Sequence, residues 1–400
     1  MVPVFPQLVE KVYGKRLVYL DNAATSLRPQ SVIDKWVEMS ARKNSNLHRA
    51  VHKTASDATQ EYEDARAAVA EFIGAASPRQ IVFTSGTTAS LNLLASTFGE
   101  MFVGEGDEVI VSESEHHSNI VPWQMVCERK GAVIKVLPVD DGGRLCIEEL
   151  GNLIGGKTRI VCVAQVSNVL GLVNPVKEIV DICHARGCPV AVDGAQAVSH
   201  LSVDVTEMGC DFYAFSGHKM YAAPGTGVLY GAADWLDRLP PYMGGGEMIR
   251  SVKWSGSTYA AAPQRFEAGT QNIAGVPTWG PAIAAVRELR GREGEMREIT
   301  DYLLRELPTV EGLRIYGVPS APEEKIPLFS LTVEGVHHED LALILDKMGI
   351  AVRSGQMCAE PLMDRYSVTG MLRASFAAYN TIGDAEYFVE SLRKAVQMLR

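Results

Sequence analysis

With 400 residues, 46% of them hydrophobic and 22% charged, the chain has an ordinary globular composition and is long enough for more than one domain. Its net charge of −10, from 38 basic and 48 acidic residues, excludes a global attraction to nucleic acid or to an anionic membrane. No stretch reaches the roughly 18 apolar residues of a membrane span. Met1 to Pro6 lacks the basic-then-apolar pattern of a signal peptide, and the seven cysteines show no metal-like pairing, so reduced thiols in a cytoplasmic protein are expected.

In chain order, Arg16 to Thr25 reads as a short apolar strand running into a polar turn. Ala55 to Ile73 is alanine-rich with charges at helical spacing, which predicts a helix. Brief β-branched runs then alternate with turns and helical segments. They are Ile81 to Phe83, Glu108 to Val111, Val133 to Val136, Ile160 to Ala164, Val190 to Val192, Phe212 to Phe215 and Gly227 to Leu229. Runs this apolar suit strands buried on both faces, hence a mostly parallel sheet in an α/β domain. After Leu239, prolines and glycines predict a loop to about Thr270, followed by a helix over Pro281 to Leu289. A second region begins near residue 285. Its expected elements are a helix, a strand at Ser330 to Val333, a helix over Glu339 to Met348, a loop with Cys358 and a final helix to Arg400.

Four places along this pattern carry possible chemistry. Lys219 follows a strand, where desolvation frees an amine to act as a nucleophile; alone, such a lysine is more often solvated and inert. Asp193 ends another buried strand, where ligands gather in α/β sheets and a carboxylate can hold a pyridinium nitrogen protonated; it could equally cap the next helix. Gln196, a short step on, could reach a ring hydroxyl. Thr84-Ser85-Gly86-Thr87-Thr88 joins a strand to a helix start, which suits a phosphate or an ordinary N-cap. Glu115-His116-His117 offers an imidazole to stack on a planar ring and move protons; the nearby cysteines and carboxylates lack the spacing for a metal site.

The ordered set LDNAAT (20–25), NLHR (46–49), TSGTT (84–88), SEHHSN (114–119), VSNVLG (166–171), VDGAQ (192–196), SGHKMYAAPGTG (216–227), RFEAGTQN (265–272), VRSGQMCAEPLM (352–363) and RASFAAYNT (373–381) resembles the class V aminotransferase family. Within it, the chain is most similar to cysteine desulfurases of the sulfur-mobilisation, selenocysteine lyase-like type. The resemblance implies the type I fold of pyridoxal-phosphate (PLP) enzymes, as in aspartate aminotransferase. A large domain (21–285) would hold a mostly parallel seven-stranded sheet, beside a smaller α+β domain (286–400) carrying the cysteine loop. An N-terminal segment (1–20) would pack on the small domain.

The resemblance also implies roles. Lys219 holds PLP, His116 stacks on its ring, Asp193 pairs with the pyridine nitrogen and Gln196 with the ring hydroxyl. Thr88, Ser216 and His218, with Thr87 nearby, bind the phosphate, and Thr270 reaches the phosphate of a second subunit in a homodimer. Asn168 and Arg373 hold the substrate carboxylate, with Asn22, Ala24 and Arg353 around the substrate. Cys358 sits where the family places its persulfide-forming cysteine, and the turn-forming Arg353-Ser354-Gly355 before it, with its nearby cation, favours an accessible thiolate. Many relatives of this type have two histidines before that cysteine; here they are Gln356 and Met357. The implied reaction turns L-cysteine into alanine and passes sulfur to a small acceptor protein for iron–sulfur cluster assembly. The rivals are a lyase for L-selenocysteine or another PLP enzyme on this scaffold, and a non-catalytic sulfur-relay scaffold.

Overall fold

The computed structural model describes residues 3–48 and 51–400. All seven expected runs form strands: β1 (Ile81–Thr84), β2 (Glu108–Ser112), β3 (Val133–Leu137), β4 (Thr158–Ala164), β5 (Val190–Asp193), β6 (Phe212–Ser216) and β7 (Gly227–Gly231). They make one sheet in the order β1-β7-β6-β5-β4-β2-β3, mostly parallel, with β7 antiparallel to both neighbours. Successive side chains point to opposite faces. Ile81 and Phe83 enter one core cluster and Val82 the other; Val161 and Val163 oppose Ile160 and Cys162. Helices cover both faces, so these strands are apolar throughout rather than alternating. The edge strand β3 departs from this, with Val133 and Val136 about half exposed.

The expected helix at Ala55 is Lys53–Phe72, starting earlier because the His52 side chain accepts the Ala55 N–H at 3.2 Å. It packs against the helix Trp279–Arg290. That helix begins before the expected Pro281, which occupies its first turn, where a missing N–H breaks no helical bond. The expected loop after Leu239 contains a hairpin, β8 (Ile249–Lys253) with β9 (Gly256–Tyr259). Its residues are mostly exposed, so no buried face imposes an alternating pattern on the sequence.

The C-terminal region has its own antiparallel sheet of β10 (Leu313–Tyr316), β11 (Leu328–Val333), β12 (Arg353–Gly355) and β13 (Met371–Ser375), in the order β10-β11-β13-β12. Only β11 was expected. β12 escapes the pattern because it has three residues, β10 because it is only partly buried, and β13 carries a buried charge, Arg373, in mid-strand. Helices Glu293–Glu306, His338–Lys347 and Ile382–Leu399 complete this core, and Val18 and Leu20 join it, with Val18–Tyr19 pairing in parallel with Ile350–Ala351. Among the described residues, no helix is long and apolar enough to cross a membrane.

Candidate active site

The C-terminal ends of β1, β2, β4, β5 and β6 open on one cavity of about 610 Å³, and the loop after β12 closes its far side. Asp193 is the last residue of β5 and lines it. Ala195 N–H donates to its Oδ1 at 2.9 Å, and burial raises the carboxyl pKa against that bond and the attraction of Lys219. Lys219 lies on a 3-10 turn directly after β6. Burial pulls its pKa down, Asp193 opposes the shift and Arg373 adds to it. Among the described residues its Nζ donates no hydrogen bond and forms no ion pair, so a half-buried amine lines the cavity unengaged.

Beside it, Ser216 Oγ accepts the Thr87 N–H at 2.7 Å and lies 2.7 Å from the Thr87 hydroxyl, tying β6 to the start of the helix Thr87–Phe102. A Cβ on Gly227 would meet the Gly86 backbone at 2.4 Å, so β7 and this helix start approach as closely as they do because position 227 has no side chain. Thr88 and His218 complete this corner of the cavity, and burial, reinforced by Lys219, lowers the His218 pKa to about 4. The helix N-terminus with hydroxyls and a neutral imidazole suits a phosphate.

His116 follows β2. Burial, then Lys219, lowers its pKa to about 4, so the ring is neutral at pH 7. Ser118 N–H donates to its Nδ1 at 3.1 Å, which leaves the ring proton on Nε2. Behind it stands Glu115, fully buried, its pKa raised to about 7 by burial. Its carboxyl accepts from Ser112 Oγ, from Asn119 Nδ2 at 2.6 Å and from Ala164 N–H at 2.7 Å, pegging this turn to β2 and β4. Gln196 donates through Nε2 to Ala23 O at 2.8 Å and keeps its amide oxygen at the cavity.

On the side of the C-terminal sheet, Arg373 is buried. Its Nη1 donates to Asn168 O at 2.8 Å, its Nη2 lies 3.5 Å from Asp21, and its Nε is buried with no hydrogen-bond partner. Burial lowers its pKa to about 10, so it stays cationic at pH 7. A guanidinium cation lining the cavity suits a carboxylate ligand. Arg353 pairs with Asp21 at 2.9 Å. Cys358 is the exposed one of seven free cysteines; five others are buried and Cys146 is half-buried. It lines the cavity and stands near enough to Lys219 and Arg373 to act on both charges.

A family model, aminotransferase class-V, matches residues 18–388. The chain belongs to the class-V aminotransferase family. It is 45% identical over 393 residues to a probable cysteine desulfurase of Halalkalibacterium halodurans, spanning 98% of this chain and 96% of that protein. It is also 45% identical over 399 residues to a cysteine desulfurase of Yersinia pseudotuberculosis, spanning 99% of this chain and 97% of that protein. Among solved structures, the Escherichia coli cysteine desulfurase CsdA matches with a TM-score of 0.91 at 37% identity, covering 99% of this chain and 97% of that one. The apo cysteine desulfurase of Thermococcus onnurineus NA1 matches with a TM-score of 0.92 at 34% identity, over the whole of both chains.

Of the residues singled out in the sequence, Ala24, Thr87, Thr88, His116, Asn168, Asp193, Gln196, Ser216, His218, Lys219, Arg353, Cys358 and Arg373 meet at this cavity. Two do not. Asn22 lies behind it, where Nδ2 donates to Ser375 O at 2.7 Å and to Tyr19 O at 3.2 Å, bracing β13. Thr270 is exposed and lines a separate cleft with Tyr242 and Met243. Arg49 of the NLHR motif lies outside the described residues. Sequence reasoning gave no role to Asp21, which pairs with both arginines, or to Glu115. Their signal was present, since both sit inside quoted motifs, but only the fold shows their partners. Among the described residues, no group of three or more His, Cys, Asp or Glu side chains could hold a metal ion.

Proposed function

We propose that this chain is a PLP-dependent cysteine desulfurase, and that its homodimer forms L-alanine while loading sulfur on Cys358. One observation carries the reading: an unengaged amine, a buried carboxylate and an exposed thiol face the same cavity. The donor set fits the cofactor. Lys219 would hold the aldehyde carbon, Asp193 the ring nitrogen, Gln196 the ring oxygen, and Thr87, Thr88, Ser216 and His218 the phosphate. A cationic ring nitrogen against Asp193 would offset the desolvation that raises that carboxyl. His116, neutral and fixed by Ser118, would lie on the ring. The exposed Thr270 is free to serve a second copy of the chain.

When bound, PLP supplies an electron sink for a carbanion at the substrate Cα. The rest belongs to the chain. Arg373 and Asn168 hold the substrate carboxylate, fixing which Cα bond faces Lys219. The depressed pKa of Lys219 leaves more of it as neutral amine, able to take the Cα proton. The Cys358 thiolate attacks the substrate sulfur. An S–S bond forms as the C–S bond breaks; the carbon keeps the electron pair, takes a proton and leaves as alanine. The persulfide then passes to a small acceptor protein for iron–sulfur cluster assembly, in the cytoplasm.

The test is to incubate the purified protein with L-cysteine and reductant, follow alanine and sulfide together, and map added sulfur by mass. Cys358→Ala should keep the cofactor and abolish sulfide release; unchanged release would sink the persulfide step. Turnover of L-selenocysteine that survives in the same variant would mark the chain as a selenocysteine lyase instead.

A further inference from the structure

The loop that carries Cys358 is held in an unfavourable backbone shape. Met357 and Cys358 are consecutive non-glycine residues with φ of 56° each, and Gly355 just before them has φ of 114°. Left-handed backbone at non-glycine residues is unfavourable and persists only where surrounding bonds over-determine it. Four hydrogen bonds do so here. Ala359 N–H donates to Gln356 O at 3.0 Å, and Asn168 Nδ2 donates to Met357 O at 2.8 Å. The other two come from one residue. His117 N–H donates to Cys358 O at 2.8 Å, and His117 Nε2 accepts the Glu360 N–H at 3.0 Å. His117 thus grips the cysteine's own carbonyl and the amide two residues beyond it.

His117 is the histidine to which the family pattern gives no role. Its neighbour His116 faces the cofactor site, and both belong to the single turn that Glu115 pegs to β2 and β4. One short rigid turn therefore fixes a ring on the cofactor side and the backbone on either side of the thiol. We propose that His117 is a positioning residue for sulfur transfer: its ring nitrogen and its amide hold the strained Cys358 loop so that the thiol meets the substrate sulfur. This rests on the reading of Cys358 as the thiol that takes the sulfur. A misplacement of about 1 Å at a reacting atom costs up to about 100-fold in rate, and a tether spanning the thiol residue controls displacements of that size.

The experiment uses the holoenzyme with three variants. His117→Ala removes the acceptor. His117→Gln restores an acceptor oxygen on a side chain long enough to reach the Glu360 amide. Glu360→Pro removes the donor itself, at the first position of the helix Glu360–Tyr366, where proline is tolerated. His117→Ala and Glu360→Pro should lower kcat for alanine formation by about 10- to 100-fold. They should leave KM for cysteine and the cofactor absorbance unchanged and raise the rate of Cys358 alkylation by iodoacetamide without cysteine. His117→Gln should recover most of the kcat and the slow alkylation. Wild-type kcat and alkylation in His117→Ala and Glu360→Pro, or a Gln variant no better than Ala, overturns the proposal. If Cys358→Ala still releases sulfide, the reading of Cys358 itself falls. If Cys358→Ala is dead while both clamp variants turn over normally, only the role of His117 falls.

Discussion

The cofactor-facing wall and the Cys358 loop share one cavity but are built by opposite means. Asp193, Ser216 and Lys219 sit on or directly after the ends of β5 and β6, whose ladders and buried side chains fix them before any side-chain bond is counted. Cys358 sits past a three-residue edge strand, in backbone that strain opposes, and is placed by hydrogen bonds from His117 and Asn168. The difference suits the proposed chemistry. A cofactor would need a rigid seat, whereas a thiol that took up sulfur and handed it on would have to be reachable from outside, and Cys358 is exposed.

The comparison can be broken at the seat first. Lys219→Ala should remove the cofactor-linked visible absorbance and lower alanine formation by about 10²- to 10⁴-fold, read by spectrum and product assay. Next is the buried pair under the seat. Glu267 accepts from Arg66 at 2.6 and 2.8 Å and from Phe83 N–H at 2.7 Å, locking β1 to the segment after β9. Glu267→Ala leaves Arg66 buried without that partner and should cost about 3–5 kcal/mol in urea unfolding. A smaller loss would mean that the ladders alone hold the seat.

The loop should respond differently. A Cβ on Gly355 meets open space, so Gly355→Ala brings backbone strain alone, about 1–2 kcal/mol. It should slow sulfide release while leaving cofactor absorbance intact.

The last effect is one of pH, at Lys325. Lys325 is buried, and its Nζ donates to Leu170 O and Gly317 O. A neutral amine has the two N–H groups this needs. Burial lowers its pKa to about 7. Between that value and the unfolded value of about 10.4, the unfolded chain binds more protons, so this group makes stability rise with pH by at most about 1.4 kcal/mol per pH unit. Lys325→Met should flatten the gain in Tm between pH 7 and pH 9; an unchanged slope would mean that the amine is charged when folded.

Much of this molecule is legible in the sequence. The seven strands of the large sheet are visible because burial on both faces demands unbroken apolar runs, and Asp193, Lys219 and Thr87 are visible because ligands in such sheets gather at strand ends. The hairpin β8–β9 leaves no trace because neither face is buried, and β13 is masked by the charge of Arg373 within it. Tertiary structure alone decided what joins residues distant in sequence. Asn22 braces β13 instead of lining the cavity, Asp21 pairs with Arg353 and Arg373, and His117 clamps a loop more than two hundred positions away. Periodicity and motif report what a segment does with its own neighbours and the core. A single hydrogen bond between two loops has no period, so it becomes visible only when the sheet has brought its two ends together.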